Sequence, residues 1–288
     1  MSPADITFIF TVGGDQCHYD NMERCIRSIN RHYLGSKFLI LEFGDKLSTS
    51  LDREVVNMNG LIDFGSGKKV GYIIWKHKYV GALMVKTKYG VYVDTDTVLV
   101  NPNVQHLLES LSGGIAATRH FWVPNIAMYQ ARACNQSTYS EFLQTKSKLG
   151  LEDDSDFFAG GVFLFENNQE TKQVFKEVID HYDEYYRERG YVKSITDEIF
   201  FAAALNRRKD LIRIYSGALN HCSMGDEHMP LIVCEDTLYG RNSFESEWQL
   251  VTFLHCDTSR RDPSASYDGD TRRLVRSYFE LDSAGSSS

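Results

Sequence analysis

Apolar residues recur along this chain in two rhythms that trade places, a continuous or every-second pattern and a three-to-four-residue pattern. Ile6 to Val12 is an unbroken apolar run rich in β-branched residues, followed by Gly13, Gly14 and Asp15, which predict a strand and then a turn. Met22, Cys25, Ile26, Ile29 and Tyr33 then repeat at helical spacing, behind a capping-box-like start at Asp20 and Glu23. Lys37 to Phe43 predicts a second strand, a short element ends near Ile62, and Gly65, Gly67 and Gly71 form a loose Gly-rich loop. A helix is expected from about Ile74 to Lys88, and an apolar strand ends on Asp94. Strand, helix, strand, helix, strand in that order implies a mostly parallel sheet covered on both faces.

Past Asn101 the rhythm is mixed. Gly114 to Thr118 reads as a strand, Gln136 to Leu149 as a helix, and Asp156 to Phe165 as a strand interrupted by Gly160 and Gly161. Thr171 to Arg189 carries a stripe of Val174, Phe175, Val178, Ile179, Tyr182 and Tyr186, the spacing of a core-facing helix. Thr196 is placed to cap a helix opening with Asp197 and Glu198. Leu211 to Tyr215, Leu231 to Cys234 and Leu250 to His255 are the last strand candidates, and the Ser-rich end has too little apolar surface to fold. The expected organisation is two halves of one domain, over 1–100 and 101–262, followed by a helix or tail over 263–288.

With 288 residues, 42% of them hydrophobic, the chain can bury a sizeable core. A net charge of −8 argues against a nucleic-acid surface, which needs clustered Lys and Arg, but leaves room for a phosphorylated small molecule held by a local cation. No apolar run approaches the roughly 20 residues of a transmembrane helix, and a cytoplasmic enzyme is expected. The six cysteines form no CxxC pair, so they are expected as free thiols.

The chemistry concentrates in Val91 to Val100, VYVDTDTVLV. Carboxylates at i and i+2 of an extended chain project to one side, so Asp94 and Asp96 can reach the same divalent cation. A hard metal held in this way usually holds phosphate, and the end of a buried strand is where α/β sheets place their ligands. An Asp-rich turn with no ligand gives the same string. Glycine within a strand, as at Gly160 and Gly161, marks a close approach of a ligand or a simple bulge. Asp197 and Glu198 on a first helical turn are favoured by the helix dipole whether or not they do chemistry.

In this order, VYVDTDTVLV, DFFAGGVFLF and TDEIFF resemble the GT-A glycosyltransferases, closest to the glycogenin-like and lipopolysaccharide galactosyltransferase-like retaining enzymes, with some likeness to the blood-group transferases. The resemblance spans about Ile6 to Arg261 and implies a Rossmann-like mixed, mostly parallel sheet flanked by helices on both faces. It further implies that Asp94 and Asp96 bind Mn²⁺ or Mg²⁺ bridging the diphosphate of a UDP-sugar, and that His255, after a late apolar strand, completes the metal shell. Carboxylate and imidazole together suit Mn²⁺ better than Mg²⁺. The turn at Thr11, Val12 and Gly13 would receive the base, with Tyr19 stacking on it. Thr95, Lys78, Arg260 and Arg261 would line the diphosphate, although HCDTSRR departs from the Gly and Lys usual in that loop. Gly160 and Gly161 would make room for the donor sugar, which Asp197 would contact.

Glu198 stands where glycogenin-like enzymes have Gln and blood-group-like enzymes have Glu. A carboxylate there can act as nucleophile or stabilise an oxocarbenium ion with retention, or serve as general base with inversion. His120, Phe121 and Trp122 could pack against a glycan, lipid-linked or protein acceptor, or merely against the loop around them. The same Asp94-Thr-Asp96-Thr-Val98 string also suits haloacid-dehalogenase-like phosphatases, in which the first Asp is a nucleophile, but there the motif ends the first strand. A nucleotide-sugar-binding module without turnover is the third alternative.

Overall fold

The computed structural model describes residues 1–58, 70–121, 123–132, 136–189, 196–222, 230–242, 244–255 and 269–280. The expected positions Ile62, Gly65, Gly67, Trp122, Arg260 and Arg261, together with Cys134, Cys256 and the Ser-rich end, lie outside these residues. Among the described residues Cys17, Cys25, Cys222 and Cys234 are free thiols.

The first two strands, β1 (Ile6–Gly13) and β2 (Lys37–Phe43), run parallel, and β3 (Arg53–Asn57) extends the sheet beyond β2. On the other side of β1 lies β4 (Tyr89–Val93), again parallel. Further out, β6 (Ile115–Thr118), β7 (Val162–Glu166) and β8 (Ile212–Tyr215) complete a seven-stranded sheet of order β3-β2-β1-β4-β7-β6-β8. One strand breaks the common direction: β7 is antiparallel to both β4 and β6. The sheet is therefore mixed and mostly parallel, as expected.

Alternation along the strands sends side chains to two cores. Ile6, Phe8, Phe10 and Val12 of β1 face one of them with Met22, Cys25, Ile26 and Ile29 of α1 (Gln16–Asn30) and with Val104 and Leu108 of α3 (Val104–Glu109). Ile9, Leu39 and Leu41 face the other, with Tyr79 of α2 (Val70–Met84), Phe175 and Tyr182 of α6 (Gln169–Arg189), and Phe200 and Phe201 of α7 (Glu198–Arg207). Phe142 of α5 (Gln136–Leu149) and Ile126 of α4 (Ile126–Arg132) join that second core. Burying a large side chain in either layer is worth roughly 1.5–3 kcal/mol.

Two smaller sheets hang on this frame. In one, β5 (Thr97–Leu99) pairs antiparallel with β13 (Phe253–His255), which also pairs parallel with β9 (Asn220–Cys222). The other is a meander of β10 (Leu231–Cys234), β11 (Thr237–Gly240) and β12 (Gln249–Leu250), against which α8 (Gly269–Glu280) packs through Leu274, Val275 and Tyr278. No described helix is long and apolar enough to cross a membrane.

Local chemistry corrects several expected boundaries. The first helix begins at Gln16, with Asp15 at the cap position, so Asp20 lies inside it and accepts from Gln16 Nε2 at 3.0 Å. The helix expected over 74–88 runs from Val70 to Met84 instead. Past Met84 the carbonyls of Val85 and Thr87 accept from Asn167 Nδ2 at 3.0 and 2.8 Å, which draws the chain out of the helix toward β4. The strand expected over Leu250 to His255 is split between β12 and β13 at Val251 and Thr252.

Candidate active site

The reversed direction of β7 creates the site. Since Val93 pairs with Val162 in an antiparallel ladder, the beginning of β7 lies beside the end of β4. Gly160 and Gly161 thus come next to Asp94, whose amide donates to the Gly161 carbonyl at 2.8 Å. The chain then turns tightly, with Thr97 Oγ1 donating to the Asp94 carbonyl at 2.9 Å, and enters β5. Within that sheet Thr97 is opposite His255, so a residue from the far end of the sequence is delivered next to Asp96.

Asp94, Asp96 and His255 bring one donor atom each within 4.8 Å of the others. His255 Nε2 is 3.0 Å from Asp96 Oδ1. Burial pushes the imidazole pKa down, but Asp96 and Asp94 outweigh it and raise it to about 9. Asp96 is lowered by the imidazole against its own burial, whereas burial leaves Asp94 raised. A protonated imidazole thus neutralises the acid pair where a divalent cation would do so. Two carboxylates and an imidazole are a donor set that Mn²⁺ accepts.

Glycine is required at the floor of this cluster. A Cβ on Gly161 would stand 2.9 Å from both Nδ1 and Cε1 of His255 and 3.0 Å from Asp94 Oδ2. Gly161→Ala is therefore expected to push the imidazole or the carboxylate out of place and to weaken at least tenfold any binding of a divalent cation at this cluster, measured by isothermal titration calorimetry.

A second group of charges lies across Gly160. Lys78, from α2, is buried, with Nζ 3.3 Å from Asp197 Oδ2, 3.9 Å from Asp94 Oδ1 and 3.3 Å from the Gly160 carbonyl. Burial alone would lower its pKa, but Asp197, Asp94 and Glu198 hold it above its ordinary value. Glu198 Oε1 accepts from the Gly160 amide at 3.0 Å. Burial, with Asp197 adding to it, raises the Glu198 carboxyl to about 7. Thr196 does not cap α7; Asp197 occupies the cap position and makes no capping bond. Its carboxylate accepts from Tyr79 instead, at 3.1 Å, and pairs with Lys78.

His120 Nε2 lies 3.9 Å from Glu198 Oε2, too far for a hydrogen bond, and burial lowers the imidazole to about 4. The neutral ring therefore forms no ion pair with Glu198, and it stacks on Phe121 with centroids 4.3 Å apart.

A cavity of about 420 Å³ opens onto this constellation, lined by Thr11, Val12, Gly13, Gly14, Asp15, His18, Trp75, Lys78, Tyr92, Asp94, Thr95 and Asp96. That volume falls in the range of ordinary small-molecule sites. Tyr19 is not on this wall. It is 3% exposed and turned under Gly44, beside Glu42, with Lys46 Nζ 4.4 Å from its ring centre. The aromatic rings that do line the cavity are Tyr92 together with His18, one position earlier, and Trp75, and the sequence singled out neither of the last two. Trp75 stands three residues before Lys78 on α2, the spacing that places both on one helix face, and this was the signal available for it.

The seven-stranded, mostly parallel sheet flanked by helices matches the GT-A fold of solved glycosyltransferases. No family model and no curated sequence matches the chain. Solved structures do match: LgtC galactosyltransferase, in complex with donor and acceptor sugar analogues, superposes with a TM-score of 0.57 and 14% identity over 95% of both chains. Mouse xyloside xylosyltransferase 1 gives 0.52 and 12%, covering 89% of this chain and 99% of its own. The glycosyltransferase GlyE of Streptococcus pneumoniae TIGR4 gives 0.54 and 14%, covering 96% of this chain and 60% of its own. At these identities the likeness is one of fold.

Proposed function

We propose that this protein is a metal-dependent glycosyltransferase that moves a hexose, glucose or galactose, from a UDP-sugar to a hydroxyl on a glycan, lipid or protein, with retention of anomeric configuration. The observation that carries the proposal is the pairing, across two glycines, of a metal-suited triad (Asp94, Asp96, His255) with a half-buried acid, Glu198. The solved relatives in fold are glycosyltransferases, one of them holding donor and acceptor sugar analogues.

In this reading Asp94, Asp96 and His255 hold Mn²⁺, or Mg²⁺, with Thr95 beside them. A cation held there would stabilise the negative charge on a departing diphosphate, a contribution of several kcal/mol without proton transfer. Lys78 sits beside the same carboxylates and offers a fixed positive charge to the phosphate. The cavity wall from Thr11 through Gly13, with His18 and Trp75, receives the base. Gly160 and Gly161 leave room for the sugar ring, Asp197 binds its hydroxyls, and Glu198 lies on the side of the anomeric carbon as nucleophile or charge stabiliser.

The Gly160 amide fixes one Glu198 oxygen and leaves the other free to approach the sugar. His120, 3.9 Å from the other Glu198 oxygen and stacked on Phe121, offers with it an aromatic surface for the acceptor. Phosphatase chemistry is disfavoured by position: Asp94 follows the fourth strand in chain order, not the first.

A thermal-shift panel of UDP-, GDP- and CMP-sugars with and without Mn²⁺ tests this reading. UDP with Mn²⁺ is expected to raise Tm by several degrees, and UDP without metal by much less. Equal shifts with and without Mn²⁺, or none with any nucleotide, would count against it.

A further inference from the structure

Three aromatic rings lie in one stack beneath the site. Phe163 of β7 sits between Tyr92 of β4, with centroids 5.1 Å and planes 20° apart, and Tyr79 of α2, at 5.8 Å and 10°. All three are at most 1% exposed. Apolar packing alone would be met by phenylalanine, as it is at Phe163, so the two hydroxyls call for partners. Each has a carboxylate. Tyr92 OH donates to Asp94 Oδ1 at 2.6 Å, and Tyr79 OH donates to Asp197 Oδ2 at 3.1 Å. Lys78 Nζ bridges the same two oxygens from between them.

Asp94 therefore has unequal oxygens. Oδ1 is engaged by Tyr92, while Oδ2 is the one turned toward Gly161, whose added Cβ would meet that atom and the His255 ring together. Proton counting extends the chain by one member. Tyr92 has a single hydroxyl proton, and it goes to Asp94, so the 3.1 Å contact with Thr11 Oγ1 must have Thr11 as donor. Thr11 in turn lines the cavity. A line of hydrogen bonds thus runs from the cavity wall through Thr11 and Tyr92 to Asp94.

We propose that Tyr92 and Tyr79 are positioning residues of the transfer reaction. Tyr92, oriented by Thr11, turns Asp94 so that Oδ2 faces Gly161 and the His255 ring, where a cation would be held. Tyr79 fixes Asp197 against the donor sugar. The inference rests on the function proposed above. Partners that orient a metal ligand commonly change affinity 10- to 100-fold when removed.

The test is Mn²⁺ titration by calorimetry, UDP binding and steady-state kinetics on the full chain and on Tyr92→Phe, Tyr79→Phe, Thr11→Val and Thr11→Ser. The phenylalanine variants keep the ring stack and delete one hydroxyl each. Tyr92→Phe is expected to weaken Mn²⁺ about 10- to 100-fold. Tyr79→Phe is expected to leave Mn²⁺ affinity within about twofold while lowering kcat at least tenfold, with UDP affinity kept. Thr11→Val should weaken Mn²⁺ in the same direction as Tyr92→Phe, and Thr11→Ser, which restores the donor, should recover it; this pair carries the test if Tyr92→Phe fails to fold. Unchanged Mn²⁺ affinity in Tyr92→Phe, or equal weakening in both tyrosine variants, would overturn the inference while leaving the metal reading intact. A wild-type chain that binds no Mn²⁺ in the presence of UDP would overturn both.

Discussion

Asp96→Ala should lose at least about 10³-fold in kcat/KM while remaining folded, because under the function proposed above a cation's several kcal/mol of charge stabilisation would disappear with its ligand. Asp96 is one-third exposed and its bonded partner is His255, so little packing is lost with it. The histidine supplies a second signature. In the metal-free protein Asp96 and Asp94 raise its pKa to about 9, so the imidazole must shed a proton before it can ligate. Mn²⁺ binding to the wild type is therefore expected to release about one proton and to tighten about tenfold per pH unit between roughly pH 6 and 8. Calorimetry in buffers of different ionisation enthalpy measures that proton directly. Full turnover by Asp96→Ala in EDTA, or Mn²⁺ affinity flat with pH in the wild type, would remove these residues from the metal's role.

Glu198→Gln is expected to cut kcat by about 10²–10³ with UDP affinity nearly unchanged, since an amide keeps the shape and the bond to the Gly160 amide but cannot carry the charge. The same change should stabilise the protein in alkali. Glu198 has its folded-state pKa raised from 4.5 to about 7 by burial and by Asp197. A raised carboxyl contributes its stability in full below 4.5 and loses it as pH rises through 7, where the buried group must ionise. The variant and the wild type should therefore have similar Tm at pH 5, whereas at pH 8 the variant should be more stable by on the order of 2 kcal/mol. Thermal unfolding at the two pH values checks this, and an unchanged rate in the variant would remove Glu198 from the chemistry. An isosteric change that gains stability and loses rate is what a strained catalytic position produces.

Much of this architecture could be read from the chain because the main sheet is coded locally. Ile6 to Val12 and Lys37 to Phe43 are continuous apolar runs, and a strand buried on both faces announces itself in that form. The helix α6 was legible for the complementary reason, an apolar stripe at one period. Short strands were not. Asn220, His221 and Cys222 form a strand through pairing with Phe253 to His255, a partner more than thirty positions away, and no local period encodes that. The helix start at Gln16 was missed because Asp20 and Glu23 imitate a cap that the backbone never uses.

The candidate site divides in the same manner. Asp94, Asp96, Gly160 and Gly161 stood out because each departs from an otherwise apolar strand. The absence of a capping bond at Asp197 could not be foreseen, since only coordinates show that carboxylate turned inward to Tyr79 and Lys78. Tyr19 and His18 are neighbours on one helix, and which of them faces the cavity depends on where that helix begins, an offset of a few residues that rotates the face by a large angle.

The strand that carries His255 pairs with Thr97 to Leu99, joining stretches of chain about 150 residues apart. During synthesis, Asp94 and Asp96 emerge long before the third donor exists. A nascent chain therefore cannot bring the three donors together until Phe253 to His255 has left the ribosome.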